Sequence, residues 1–279
     1  MRRIIRFVIS DADGTLVRGE KLIDPCAFSR MMQTLAKAQI PIAIASGRCY
    51  STLKPLFGTY ADRILFFPLD GTLAIAADTL LCSFPLDGDA IEDGLSLLSH
   101  VHVRGVELCA QNTSYLYAND PNIVLSEKKR LGDSLTVCYS RDVIPFSPEA
   151  QTEEPIYKII VFFAPLGCTQ RLDNTVIRGV RTVYKSDTVW EVIRKDISKR
   201  TAAETVCRAL QISPEVVLAF GDNENDRELL MFAGTAVTMY GAKHDLFSIT
   251  PYHTSNVAET VMYHIKKDNI SRSSAARNR

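Results

Sequence analysis

The stretch I-I-R-F-V-I-S-D-A-D-G-T-L, residues 4–16, constrains this chain more than any other. Its first half is an apolar, β-branched run of the kind that forms a strand buried on both faces. It ends in two acids, Asp11 and Asp13, followed at once by Gly14. In an open α/β sheet, ligands bind outside the carboxyl ends of the strands, which is where such a pair would stand. Extended backbone points Asp11 and Asp13 to the same side. Two carboxylates that close repel each other unless a cation lies between them or one is protonated. Gly14 allows a sharp turn that brings backbone N–H groups towards whatever the acids hold. The competing reading is a plain surface turn, because Asp-Gly is common turn chemistry.

The rest of the chain decides between the two. Asp24-Pro25 opens a helix, with Asp as cap and Pro at the first helical position, and Phe28, Met31, Met32 and Leu35 follow at helical spacing. Ile40 to Ala45 reads as a second buried strand ending at Ser46-Gly47-Arg48, and Ile64 to Leu69 as a third. Leu69-Asp70-Gly71-Thr72-Leu73 repeats the wording of the first motif, but Pro68 stands where the first copy has Asp11, so it reads as a turn at the edge of a site. After an interruption the rhythm resumes. Ser198 caps a helix through Leu210, Val216 to Phe220 is a strand ending at G-D-N-E-N-D (221–226), and Ala236 to Met239 is the last central strand. Strand, helix, strand in this order predicts a parallel sheet with right-handed crossovers.

The interruption, residues 84–193, has a different texture. Tyr115 to Tyr117, Lys158 to Phe163, Val180 to Tyr184 and Val189 to Ile193 are short alternating runs, as in antiparallel strands with one wet face. A helix is expected between Asp89 and Leu98. The expected organisation is an α/β core from residues 1–83 and 194–279, with an inserted α+β domain at 84–193. The tail from Ile265 is expected to be a frayed helix end and disordered residues.

Composition excludes several classes. Lys+Arg and Asp+Glu both number 32, so nothing marks a nucleic-acid footprint. No apolar run reaches membrane-spanning length, and the start has too short an apolar core for a secretory signal. The seven cysteines are dispersed without C-x-x-C spacing, which fits free thiols in a reducing, cytoplasmic setting. The five histidines show no metal spacing, and there is no P-loop, G-x-G-x-x-G or G-x-S-x-G.

Three strands of one parallel sheet therefore end in polar loops that converge: Asp11 with Asp13, Ser46-Gly47-Arg48, and the acids at 222–226. Lys199 joins them from the first turn of a helix, where a cation gains nothing from the helix dipole. Carboxylates from two strands suit Mg²⁺, and a hydroxyl, N–H groups and a lysine suit a phosphate dianion. A carboxylate can be the nucleophile and a second acid the proton donor. Singly, each piece has a bland reading: Ser46-Gly47 as a turn, Lys199 as a solvated helix residue, Asp226 as a loop cap, Arg48 as a structural ion pair.

Taken together, the motifs resemble the haloacid dehalogenase superfamily, in particular Cof-like sugar-phosphate phosphatases with a large cap between the second and third motifs. D-A-D-G-T-L (11–16) matches the first motif, A-I-A-S-G-R (43–48) the second, the stretch from Val189 through Lys199 the third, and A-F-G-D-N-E-N-D (219–226) the fourth. The resemblance implies a Rossmann-like core with an α+β cap and Mg²⁺-dependent hydrolysis of small phosphomonoesters through an aspartyl-phosphate. It implies Asp11 as nucleophile and metal ligand, and Asp13 as general acid/base with its backbone carbonyl on the metal. Ser46 and the N–H groups of Gly47 and Ala12 would hold the phosphoryl oxygens. Lys199 would neutralise charge, Asp222 would complete the metal site, and Asn225 would contact phosphate. A monomer or homodimer acting on a small phosphorylated metabolite is expected, with no nucleic-acid or membrane partner. Two alternatives stay open: a phosphomutase, and a regulator that binds a phosphometabolite without turnover. The chain departs from the family's usual wording at Asp70-Gly71, where Asn-Gly is usual, at Arg200, where Gly is usual, and at Tyr240-Gly241-Ala242. Asp70 and Arg200 are expected to influence which substrate is accepted.

Overall fold

The computed structural model of the chain describes residues 4–118, 120–131, 135–138, 154–164 and 176–277. They separate into two units, one of residues 1–47, 53–82 and 198–279 and one of residues 48–52 and 83–197.

The first unit is built on an eight-stranded sheet. From one edge to the other its strands are His253–Thr254, Thr235–Met239, Val217–Gly221, Phe7–Asp11, Ile42–Ala45, Leu65–Phe67, Leu73–Ala76 and Thr79–Ser83. The first six are parallel. Every residue of Phe7–Asp11, Ile42–Ala45 and Val217–Gly221 is buried, as an apolar run in a sheet covered on both faces must be. On one face Phe7, Ile9, Ala43, Phe67 and Ala219 pack with Ala202 and Val206 of the helix Lys199–Ala209 and with Leu229 and Leu230 of the helix Arg227–Phe232. On the other, Phe66 points away from Phe67, its ring 5.7 Å from Phe57, which lies 5.7 Å from Phe28. Phe28 belongs to the helix Pro25–Ala38, which buries Ala27, Met31, Met32 and Leu35 along one stripe. Its opening follows the sequence: Pro25 stands in the first turn and Asp24 Oδ1 accepts the Ala27 N–H at 2.8 Å.

Three features of this unit differ from expectation. Leu73–Ala76 pairs antiparallel with Leu65–Phe67 and then turns back through Ala77 and Asp78, both left-handed (φ 44° and 64°), into Thr79–Ser83. A two-residue turn of that hand suits a hairpin, but alanine at positive φ leaves no mark in sequence. Thr235–Met239 is the last central strand, as expected, but a short edge strand that the sequence reading lacked, His253–Thr254, pairs beyond it. The C-terminal segment is a continuous helix, Val257–Arg277, rather than a frayed end. It contains no Gly or Pro to stop it, and the Ile5 N–H on Asp268 Oδ2 (3.0 Å) ties it to the start of the first strand.

The second unit has a six-stranded sheet in the order Leu135–Cys138, Ser114–Ala118, Val103–Cys109, Lys158–Phe163, Val189–Arg194 and Val180–Lys185. All pairs are antiparallel except the first, which is parallel because the helix Pro121–Leu131 carries the chain back between its two strands. Val103–Cys109 escapes a pattern reading because Arg104, Gly105 and Glu107 break its apolar run. Leu95 of the helix Gly88–Ser96 packs on Leu108, Ile159, Val161, Trp190 and Val192, a core belonging to this unit alone. The opposite face was expected to be wet. Instead Glu107 and Lys158 are buried there, and each is ion-paired, Glu107 to Arg130 and Lys158 to Glu191. Charges taken out of water persist when paired in this way.

Among the described residues Cys26, Cys49, Cys82, Cys109 and Cys207 are free thiols, as expected; the Cys138 side chain and Cys168 lie outside those described. No helix among the described residues is long and apolar enough to cross a membrane.

Trp190 is almost fully enclosed, and its indole N–H donates to Thr182 Oγ1 at 2.8 Å. Trp190→Ala should destabilise the second unit by about 3–5 kcal/mol. Amide exchange in Val103–Cys109 and Lys158–Phe163 should accelerate while Phe7–Asp11 keeps its protection, as read by hydrogen-exchange mass spectrometry.

Candidate active site

The parallel register sets the site. Asp11 pairs with Ala45, and Ser10 with Phe220, so the residues that follow these strands, Ala12, Ser46 and Asp222, emerge at one edge of the sheet. Ala12 is buried and its carbonyl accepts the N–H groups of Leu16 and Val17, both at 2.8 Å, which rolls the chain over into a tight loop. At Gly14 φ is +79°, and a Cβ there would lie 2.2 Å from Asp222 Oδ2. A glycine is needed both for the turn and for the approach of Asp222 to the first loop. Asp13 sits on this loop and is exposed. Ser46 is buried, its N–H on the Phe67 carbonyl at 3.0 Å and its carbonyl accepting the Asp70 N–H at 2.9 Å.

Lys199 occupies the middle. It is 1% exposed, and its Nζ donates to Asp11 Oδ1 and Asp226 Oδ1, both at 2.6 Å. Ser198 caps this helix; its N–H reaches Thr201 Oγ1 at 3.1 Å and its hydroxyl donates to Glu228 Oε2 at 2.7 Å. Burial alone would drive a lysine towards neutrality, but Asp11 and Asp226 outweigh it and raise the pKa, so Lys199 is a fixed cation. Asp226 is fully buried and also organises the fourth-motif loop. Its Oδ2 accepts the backbone N–H groups of Asp222 and Asn223 at 2.9 and 3.0 Å. The sequence placed Asp226 in the acid cluster at 222–226 and left open whether it caps the loop or reaches the metal indirectly. Its pairing with Lys199 follows from tertiary structure, since the two are far apart on any local pattern.

The acids are far from neutral balance. Asp11, Asp222 and Asp226 offer carboxylate oxygens that all lie within 4.8 Å of one another. Burial raises the Asp11 pKa well above the carboxylate range; Lys199 opposes this, and Asp226 and Asp222 add to it. Burial, Asp226 and Asp13 push Asp222 up to about 6 against the pull of Lys199. Three carboxylates around one ammonium leave two negative charges, and Asp11 Oδ2 is buried with no hydrogen-bond partner. Such a set of hard oxygen donors fits a divalent cation of the Mg²⁺ type. Asn225, expected at the phosphate, donates its Nδ2 to Asp70 Oδ1 at 2.7 Å, and its Oδ1 is a second buried atom without a partner. Asp70, read from sequence as a turn at the edge of the site, is thus 2% exposed and bonded into it. Arg200, by contrast, pairs with Glu204 (3.4 Å) on its own helix.

Two expectations follow for the metal-free protein. A folded-state pKa near 6 for Asp222, against 3.8 for an ordinary aspartate, means that the folded state binds more protons across that window. Ionised Asp222 therefore costs stability above it. Asp222→Asn should raise the melting temperature at pH 7.5, and the gain should shrink as the pH falls towards 4. Lys199→Met strands two buried carboxylates and should cost about 3–5 kcal/mol in urea unfolding at pH 7.5, with partial recovery in acid as Asp11 protonates.

Residues 8–265 match the family of haloacid dehalogenase-like hydrolases. A candidate phosphatase of Mycoplasma pneumoniae is 23% identical, the alignment covering 92% of this chain and 95% of that protein. A phosphatase of the haloalkanoate (HAD) superfamily from Bacteroides thetaiotaomicron shares the fold, with a TM-score of 0.76 at 17% identity over 96% of each chain. So does a sugar phosphatase of HAD subclass IIB, with a TM-score of 0.73 at 17% identity over 92% of this chain and 98% of the other. With the family's matched span running through both units, the chain belongs to the haloacid dehalogenase-like hydrolases.

Proposed function

We propose that this hydrolase is a Mg²⁺-dependent phosphatase of small phosphomonoesters. The observation that carries the reading is the buried Lys199 ammonium shared by Asp11 and Asp226, with Asp11 Oδ2 left without a partner beside Asp222. Lys199 donates to Asp11 Oδ1, which orients the carboxylate and works against the upward pull of burial on its pKa. In this reading Asp11 attacks phosphorus, the ester P–O bond breaks, and Asp13 protonates the departing alcohol oxygen. Asp13, now a carboxylate, takes a proton from water, which attacks the phosphoryl group on Asp11 and releases phosphate with Asp11 restored. Exposure of Asp13 suits it to meet both the leaving oxygen and that water. Asp11, the Asp13 carbonyl and Asp222 would hold Mg²⁺, which when bound neutralises charge on the phosphoryl oxygens. Ser46 with the N–H groups of Gly47 and Ala12 would receive those oxygens, and Lys199 would balance their charge.

The second unit is the natural source of selectivity for the leaving group. In this reading residues 84–193 are a cap with its own core. Sugar phosphates are the first class to test, because a relative of the same fold is a sugar phosphatase. A cytoplasmic monomer or homodimer acting without nucleic acid or membrane completes the proposal, supported by balanced charge and free thiols.

The test is phosphate release from p-nitrophenyl phosphate, followed by a panel of sugar phosphates. Release should require Mg²⁺, stop with EDTA, and fall by at least about a thousandfold in Asp11→Asn, since the nucleophile is gone. Wild-type protein inactive on the ester and on the whole panel would sink the reading in favour of ligand sensing.

A further inference from the structure

The turn after the strand Leu65–Phe67 is strained. Leu69, Asp70 and Gly71 stand consecutively in the left-handed region, at φ 49°, 60° and 83°. Leucine rarely adopts that conformation, and it persists only where surrounding contacts impose it. Here three neighbours do so. The Asp70 N–H donates to the Ser46 carbonyl at 2.9 Å, and Asp70 Oδ1 accepts from Asn225 Nδ2 at 2.7 Å. At Gly71 a Cβ would lie 2.6 Å from the Ser198 carbonyl oxygen and 2.7 Å from Lys199 Cα, so the turn presses against the start of the lysine's helix. One turn thereby touches the second, third and fourth motifs, and the buried Asp70 carboxylate also helps to hold Lys199 charged.

We propose that Asp70 is a positioning residue that sets the direction of the Asn225 amide. An ionised carboxylate only accepts hydrogen bonds. Asn225 must therefore turn Nδ2 towards Asp70, which leaves Oδ1 as a buried acceptor awaiting a donor. The donor that fits is an O–H of the bound ligand: the hydroxyl of a phosphate monoanion, or a water carried in with it. An asparagine at position 70 would offer both a donor and an acceptor and would impose no direction. This inference rests on the phosphate-site reading above.

The test is a double-mutant cycle of Asp70→Gly, Asn225→Ala and the double variant, with Asp70→Asn as the conservative control. Glycine accepts the backbone at φ +60°, so the carboxylate is removed without forcing the turn open, and the melting temperature of each variant checks this. With Mg²⁺ and p-nitrophenyl phosphate, each single variant should lose about tenfold or more in kcat/KM, the size expected for one hydrogen bond to a charged group. The double variant should lose no more than the worse single, because both changes break the same pair. Asp70→Asn should fall between wild type and Asp70→Gly, since its Oδ1 can still accept from Asn225 but its amide no longer imposes one direction on it. Losses that multiply, or an Asp70→Gly variant within about twofold of wild type, would overturn the proposal. If wild type hydrolyses nothing, the phosphatase reading fails by itself, and the same cycle is read on inorganic phosphate binding by calorimetry with Mg²⁺ present. Non-additive weakening there upholds the role of Asp70; unchanged, additive or absent phosphate binding removes it.

Discussion

One buried ammonium holds this site together. Lys199 Nζ lies 2.6 Å from carboxylate oxygens of Asp11 and Asp226, and each of the three would be costly to bury alone. Their mutual pairing allows Asp11, at the end of one strand, and Asp226, in the loop after another, to be buried together. It remains an incomplete neutralisation, since Asp222 adds a third carboxylate to the cluster. The residual charge, with the unpartnered Asp11 Oδ2, gives the cluster a set of hard oxygen donors that fits a divalent cation. Stability and chemistry pull in opposite directions here, as they do wherever like charges are concentrated for function.

The sheet supplies the geometry that such a cluster needs. Parallel strands deliver their carboxyl ends to one edge, and the register Asp11 to Ala45 and Ser10 to Phe220 puts three loops side by side. The loops are then locked to each other rather than left to sample. Asp226 takes the backbone N–H groups of its own loop, Ser46 accepts from Asp70, and Asp70 accepts from Asn225. Gly14 removes the one methylene that would block the approach of Asp222. The two bonds through Asp70 link segments distant in sequence, so they rigidify the site only once the sheet has formed.

Much of this was legible in the chain because it rests on local periodicity. Buried strands are apolar runs, Asp24-Pro25 marks a helix start, and acids directly after an apolar run mark a strand end at a polar edge. What escaped was written in contacts or in backbone torsions. The hairpin through Ala77 and Asp78 uses positive φ at an alanine, and the strand Val103–Cys109 carries Glu107, whose burial depends on Arg130 from another element. The C-terminal helix was underestimated because polar residues conceal a run with no helix breaker, anchored by Asp268 on Ile5.

The sequence alone therefore determined the α/β class and that Asp11, Ser46 and Asp222 stand at or just past the carboxyl ends of strands, with Lys199 opening a helix. Strand periodicity and the fixed hand of crossover connections require that much. Only the tertiary structure decided which acids share Lys199, that Asp226 rather than the exposed Asp13 is its second partner, and that Asp70 directs Asn225. Ion pairing depends on distances of an ångström or less and on exclusion from water, and neither is encoded by spacing along the chain.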